Sequence, residues 1–388
     1  MTGADIVVIG GGMAGASAAF ELASAAKVVV LERESACGYH ATGRSAASFT
    51  ENYGTATIRR LAKASRPFLE RPPEGFAGSP LLAPRGMLTV ARADQRAALR
   101  DELERALEFV PTMRRVSVDE ALALVPVLRR DYLDGAILEP NSMDIDVHGL
   151  HQGFLKGIRR RGGTVIVDAE VTALERDGRR WRVSTRAGPL SADIVINAAG
   201  AWADEIGRLA GAAPIGLVPK RRTAFTVDAP AGTAVEAWPL ANDVGAEFYF
   251  KPDAGRLFVS PADATPSLPT DAQAEDIDVA EGVDRLERAT TIAVTRVVRR
   301  WAGLRSFVTD GSPVAGFDPE ARGFFWLAGQ GGYGIKTASA LARATAALIS
   351  AGRLPEDQVA LGLSAAQLSP ARLRGMPVDG GMPATARA

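Results

Sequence analysis

One cysteine, Cys37, and three histidines, His40, His148 and His151, stand in a chain of 388 residues. A disulfide framework is thereby excluded, and a structural zinc site lacks its soft ligands, so no metal is expected. Net charge is missing too: Lys+Arg and Asp+Glu both number 45. There is no basic footprint to neutralise the phosphates of a nucleic acid. No stretch of about 18 apolar residues occurs, which leaves no transmembrane helix. The apolar opening, residues 1–25, lacks a basic start and is interrupted by Gly10, Gly11, Gly12 and Gly15, unlike a signal peptide. The expectation is a cytoplasmic protein that touches a membrane at most at its surface.

The length suffices for two domains. Ile6 to Ile9 is a short β-branched run apolar on both faces, which suits a central parallel strand. Small residues from Ala14 to Ala26 predict a helix that packs close to a sheet, and Lys27 to Glu32 a second buried strand, completing a βαβ unit. Strands of the same kind recur at Thr164–Val167, Asp193–Asn197 and Phe324–Ala328. The last two run into the small-residue turns Ala198-Ala199-Gly200 and Gly329-Gln330-Gly331-Gly332. Arg159, Arg160 and Arg161 close a helix before Gly162-Gly163, where cations complement the helix dipole. Residues 85–92 and 219–260 instead alternate and carry Phe225, Trp238, Phe248, Tyr249, Phe250 and Phe258, as an antiparallel sheet would.

The predicted class is therefore α/β: a discontinuous Rossmann-like domain over 1–84, 141–218 and 308–370, and an α+β substrate domain over 85–140 and 219–307. Residues 261–275 read as a surface loop. After about Leu363 the composition turns to Pro, Gly and Ala, and 371–388 read as a poorly ordered tail.

Gly10-Gly11-Gly12-Met13-Ala14-Gly15 supplies the G-x-G-x-x-G pattern, which alone is weak. Here it follows a strand, opens a helix and is followed by Glu32 after a second strand. Gly10 permits the tight turn, Gly12 lets the backbone approach a pyrophosphate, and Gly15 allows close helix–strand packing. The helix start offers unpaired N–H groups to the phosphates, and Glu32 suits ribose hydroxyls while repelling a 2′-phosphate. A dinucleotide follows, without saying which.

Downstream, GYHATGRSAA (38–47) is short-side-chained and carries Arg44, as a loop wrapping a long cofactor would. Together with PVLRRD (126–131), NAAGAW (197–202), PKRR (219–222), FYFKPDAG (248–255), WAGLRSF (301–307) and QGGYGI (330–335), it resembles the D-amino-acid oxidase and dehydrogenase superfamily. The likeness spans Ala4 to roughly Pro370 and is nearest the bacterial FAD-dependent D-arginine dehydrogenases. It implies noncovalent FAD, held by Gly10, Gly12, Ala14, Gly15, Glu32, Arg33, Thr42, Gly43, Arg44, Ser45, Ala47, Val171, Ala199, Gly200, Trp202, Gly331, Gly334, Ile335 and Lys336. Lys336 is read either as a cation supporting the reduced flavin or as a solvent-facing lysine of the first helical turn.

An arginine among apolar neighbours seeks a planar anion, because its fork of donors matches a carboxylate. Arg222 and Arg305 are such residues, and the resemblance makes them the clamp on a substrate carboxylate. It also sets Tyr53 and Tyr249 beside the substrate, where a phenol can donate while its ring excludes water. Ser48, Thr50, Met87, Leu240, Asn242 and Gly332 are expected to complete the pocket, with Leu240 and Asn242 on a lid. The implied reaction is oxidative deamination of a D-amino acid to a 2-oxo acid and ammonia, the Cα hydride going to flavin N5. Electrons then pass to oxygen or a quinone-like acceptor.

The D-arginine dehydrogenases carry histidine, glutamate and glutamine where this chain has Ser48, Met87 and Lys336. Losing the acid at 87 removes a partner for a cationic side chain, so a neutral or apolar D-amino acid is expected. D-arginine dehydrogenation proper, and oxidation of a secondary amine or a 2-hydroxy acid, remain open alternatives. Further from these stand a nicotinamide enzyme and a flavin-binding protein without turnover.

Overall fold

Ile6–Ile9, buried at every position, sits in the middle of a six-stranded sheet in a computed structural model that describes residues 2–374. Its neighbours are Val28–Leu31 and Ile194–Asn197, both parallel to it. Thr164–Ile166 continues the sheet on one side and Phe324–Ala328 on the other, with antiparallel Val314–Phe317 at the edge. Strands buried on both faces need cover on both, and the helix Met13–Leu22 supplies part of it. That helix ends at Leu22, four residues short of the expected Ala26. Its small residues allow close approach. A Cβ on Gly15 would lie 1.9 Å from the Gly10 carbonyl oxygen, and one on Gly10 would lie 2.3 Å from the Ala198 carbonyl oxygen. Gly10 also has φ +108°, a conformation that disfavours any side chain.

A second, larger sheet of nine strands is assembled from segments between Met87 and Phe307. Its strands Val218–Asp228 and Val297–Phe307 pair along most of their length. Alternation divides this sheet cleanly. Leu88, Leu138, Ala241, Phe250, Val259 and Phe225 share one apolar cluster on one face. The register puts Glu139, Met87, Leu240, Asn242, Tyr249, Arg222 and Arg305 on the other, because Met87 lies opposite both Leu240 and Glu139, Asn242 opposite Tyr249, and Lys220 opposite Arg305. Each fully buried Phe of the apolar face contributes about 1.5–3 kcal/mol. That packing makes the polar face a rigid platform.

Two expectations need correction and one, the loop 261–275, is refined. Leu240 and Asn242 belong to the strand Leu240–Asp243 inside the large sheet, not to a lid. Residues 261–275 are mostly loop but contribute a two-residue edge strand, Thr265–Pro266. The tail is ordered further than its composition suggested: Ala365–Leu368 and the turn Pro370–Leu373 bury Leu368 and Leu373, and Arg372 pairs with Asp310 at 2.7 Å. The remainder of the expected tail, 375–388, lies outside the described residues. The arginine triplet ends the helix Val147–Arg160, with Arg161 against the Phe20 carbonyl and ring. No helix among the described residues is long and apolar enough to cross a membrane.

Candidate active site

Between the small sheet and the polar face of the large one lies a cavity of about 460 Å³. Gly10, Gly12, Met13 and Ala14 line it, so the helix Met13–Leu22 opens against it. That helix has no capping side chain of its own at Gly12 and no acid in its first turn. Thr42 Oγ1 accepts from the Met13 N–H at 3.0 Å, and a Cβ on Gly12 would crowd that same oxygen at 3.3 Å. Glu32 lines the cavity while its carboxylate accepts from the N–H groups of Gly11 at 2.9 Å and Glu34 at 3.0 Å. His151 donates from Nε2 to the Gly11 carbonyl at 2.8 Å; burial holds its imidazole below the ordinary value, hence neutral, and fixes the tautomer.

Arg33, Thr42, Arg44, Ser45, Val171, Ala199, Gly200, Trp202, Gly331, Gly332, Gly334 and Ile335 also line the cavity. Gly15, Gly43, Ala47 and Lys336 do not. Gly15 acts through helix packing, as above. Arg44 is engaged with protein: it pairs with Asp271 and donates to the carbonyls of Ala272 at 2.8 Å and Ala302 at 3.0 Å. It therefore ties loop 261–275 and the strand Val297–Phe307 to the cavity wall. Arg33 stacks over the Trp202 ring at 4.8 Å.

At the other end, Arg222, Tyr249 and Arg305 line the same cavity. Arg222 donates through Nε to the Asp263 carbonyl and lies 6.0 Å from the Tyr249 ring centroid. Arg305 donates to the Tyr249 hydroxyl at 3.4 Å and lies against Gly332, where a Cβ would come 3.0 Å from its Nη1. Neither guanidinium has a carboxylate within 4.0 Å among the described residues. Burial, and then Arg305, hold Arg222 below its ordinary value. Burial pushes the Tyr249 phenol up, but Arg305 and Arg222 outweigh it and leave it below the usual range. Two half-buried cations on a cavity wall, with Asp263 near enough to act on both but not ion-paired with either, form a site for a further anion.

Around this pair the remaining expected pocket residues divide. Tyr53 packs edge-on against Tyr333, ring centroids 4.9 Å apart. Met87 is half-buried on the sheet face, and Asn242 accepts from the Thr89 hydroxyl at 3.0 Å. Thr50 is buried and donates to Glu139 at 2.8 Å, while the Ser48 hydroxyl is buried with no hydrogen-bond partner. None of Ser48, Thr50, Tyr53, Met87, Leu240 and Asn242 lines the cavity itself. Lys336 is neither a solvent-facing lysine nor part of the lining: it is 3% exposed and donates to the carbonyls of Thr50 at 2.9 Å and Tyr53 at 2.7 Å. Burial pushes it down to about 7.

Sequence reasoning missed Glu139 and Tyr333. Glu139 ends an otherwise apolar strand, Gly135–Glu139, on the parity that faces Met87, and burial pushes its carboxyl up to about 7. The view that this region lacks an acid is thereby corrected. Tyr333, 1% exposed, leaves its hydroxyl without a hydrogen-bond partner beside Tyr53. Its glycine-rich setting was visible, but nothing in the sequence distinguished a buried tyrosine from an exposed one.

A glycine-lined helix start, an acid at the end of the second strand and a cavity continuing to a separate substrate face define a dinucleotide-cofactor oxidoreductase. The chain belongs to the FAD dependent oxidoreductase family (DAO), whose model matches residues 5–348. Its cofactor is FAD, and the cradle just described fits it: a backbone unobstructed by side chains at Gly12, and Glu32 at the cavity wall. The chain is 25% identical to the glycine oxidase of Geobacillus kaustophilus over 85% of its own length and 89% of that protein's. To the mitochondrial dimethylglycine dehydrogenase of Rattus norvegicus it is 23% identical over 92% of its own length, spanning 44% of that longer protein. Among solved structures, the L-proline dehydrogenase of P. horikoshii matches with a TM-score of 0.80 at 22% identity, covering 96% of this chain and 98% of that one. The iminodiacetate oxidase of Chelativorans sp. BNC1 matches with a TM-score of 0.78 at 23% identity, covering 94% and 98%.

Proposed function

We propose that this chain oxidises the C–N bond of a small amine that carries a carboxylate, a D-amino acid with a neutral side chain first among them. The observation that carries the reading is the pair Arg222 and Arg305: half-buried, adjacent, on the cavity wall and with no carboxylate in ion-pair contact among the described residues. FAD, when bound, supplies a two-electron acceptor. The arginines bind the carboxylate and so orient the carbon beside it. Tyr249, on the cavity wall and drawn below its ordinary value, hydrogen-bonds the bound substrate in this reading, and the paired rings of Tyr53 and Tyr333 pack behind that wall. The substrate ammonium must first give up a proton to solvent. Oxidation removes two electrons and one proton, a hydride equivalent, from the carbon of the CH–NH2 unit. The resulting iminium loses its extra proton to solvent, and water hydrolyses the imine to a 2-oxo acid and ammonia. Oxygen or a quinone-like carrier then takes the electrons.

The narrower likeness to D-arginine dehydrogenases supports the D preference, while Met87 supports a neutral side chain. A secondary amine is the second reading, favoured by the dimethylglycine- and iminodiacetate-oxidising relatives named above. Anaerobic mixing of the FAD-loaded protein with D-Met, D-Phe, D-Leu, D-Arg, their L forms, N-methylglycine and 2-hydroxy acids tests both. Flavin bleaching by the neutral D-amino acids, with ammonia released on turnover, is expected. Bleaching by N-methylglycine alone would transfer the assignment to secondary amines.

A further inference from the structure

The segment 50–54 carries Tyr53 to the arginines without belonging to a long strand or helix, so something else must hold it. Lys336 supplies two of the contacts that do. Its Nζ donates to the carbonyls at both ends of the turn, Thr50 and Tyr53, and lies 5.3 Å from the Tyr53 ring and 5.5 Å from the Tyr333 ring. On the opposite side, Thr50 Oγ1 donates to Glu139 and accepts from the Asn52 N–H at 3.0 Å. Arg59 closes the turn below by donating from Nε to the Gly54 carbonyl at 2.9 Å. A lysine on a helix start has no structural need to be buried; solvent would serve it better.

We propose that Lys336 is a positioning residue for substrate binding: its buried ammonium fixes the 50–53 turn and holds together the rings of Tyr53 and Tyr333, the phenols that face Arg305. This rests on the carboxylate reading given above. The charged and titratable groups around Lys336 are Glu139 on the sheet, Glu51 on the turn, Arg59 on the helix Ala56–Glu70, and the phenols of Tyr53 and Tyr333. Glu139 and Lys336 are both displaced toward neutrality, so raising pH both discharges the lysine and charges the acid. Both changes disfavour an anionic ligand. Carboxylate affinity therefore falls as pH rises through about 7.

The test uses benzoate, a carboxylate that cannot be oxidised, titrated against the FAD-loaded protein by its visible spectrum from pH 6 to 9 (a window of about 3 units that spans the displaced values). The wild type is expected to bind more weakly as pH rises. Lys336→Met, which keeps the length and removes the donors, should bind about 10- to 100-fold more weakly at pH 6 with FAD content unchanged. Lys336→Gln, which restores an amide donor without charge, should recover part of the affinity and show a flatter pH profile. Wild-type affinity and pH profile in both variants would overturn the positioning role, whatever their thermal stability. Should Lys336→Met not fold, the Gln variant and the wild-type profile decide alone, and a flat wild-type profile overturns the proposal. No benzoate binding by the wild type would instead overturn the carboxylate reading itself.

Discussion

Replacing Arg305 with methionine should separate function from stability in opposite directions. Its guanidinium is half-buried, makes one long hydrogen bond, to Tyr249 at 3.4 Å, and has a second guanidinium as its neighbour. Burial would lower it; Tyr249, Tyr53 and Tyr333 outweigh burial and hold it above its ordinary value, but only as phenolates, so at neutral pH its charge is poorly compensated. An uncompensated buried charge costs several kcal/mol, and an apolar side chain of similar length avoids that cost. Arg305→Met is therefore expected to stabilise the substrate-free, FAD-loaded protein by about 1–3 kcal/mol, a rise of a few degrees in Tm. Binding suffers instead. Truncating one partner of a buried, hydrogen-bonded charge pair costs about 2–5 kcal/mol, so kcat/KM for a D-amino acid should fall by about 30-fold to several thousandfold. The control is an amine without the carboxylate, phenethylamine against D-Phe, for which the loss should stay within about threefold. Thermal unfolding at saturating FAD and steady-state kinetics on both compounds supply the readouts. Equal losses for both, or a fall in Tm, would refute the argument that this arginine awaits an anion.

Gly15→Ala should abolish FAD retention, since its Cβ would sit 1.9 Å from the Gly10 carbonyl and force the cofactor turn apart; the flavin-to-protein absorbance ratio after gel filtration reads this, and a fully yellow variant would contradict it. Asp271→Ala removes the one carboxylate acceptor of Arg44, together with that of the Tyr39 hydroxyl, and loosens the loop that contributes Thr270 and Ala272 to the cavity wall, leaving the Arg44 bond to the Ala272 carbonyl. FAD dissociation in the dark, followed by regained flavin fluorescence, should then be about tenfold faster, with kcat at saturating FAD unchanged.

Much of the cofactor end was readable because backbone geometry demands specific residues there. Gly10 needs a positive φ, Gly15 tolerates no side chain, and the paired apolar strands Ile6–Ile9 and Val28–Leu31 cannot sit anywhere but inside a sheet. The substrate end was readable only in part. Alternation marked 219–260 as antiparallel, yet which strands pair depends on contacts over long sequence separations, so Leu240 and Asn242 passed for a lid. The same gap hid Glu139: its relation to Met87 exists only in the register between Met87–Ala91 and Gly135–Glu139. The burial of Lys336 was not readable because a position just before a helix argues for exposure, while the turn 50–54 that buries it comes from nearly three hundred residues away.

Glu139 bears directly on the side chain that the site accepts. It lies opposite Met87, with Leu240 on the far side of Met87, so a carboxyl group does stand beside the residue whose neutrality argued against a cationic substrate. Its state decides the matter. Burial raises it to about 7, so it gains charge only as pH passes through that value, and its exposure of 2% leaves Thr50 as its hydrogen-bond donor rather than solvent. A carboxyl already bonded and half-neutral is a poor receptor for a guanidinium. Glu139→Gln keeps an acceptor for Thr50 and removes the charge, so the ratio of kcat/KM for D-Arg to that for D-Met should move by less than about threefold. The sign of the stability change follows from linkage: the folded protein binds a proton here more tightly than the unfolded chain, so the wild type loses stability as pH rises from the carboxyl's ordinary value to about 7, and the variant does not. Above that range Glu139→Gln should gain about 3 kcal/mol relative to wild type, less whatever attraction to Lys336 is lost, and nothing below about pH 4. A hundredfold loss confined to D-Arg would show that Glu139 reads a cation after all, and the neutral-side-chain reading drawn from Met87 would fall with it.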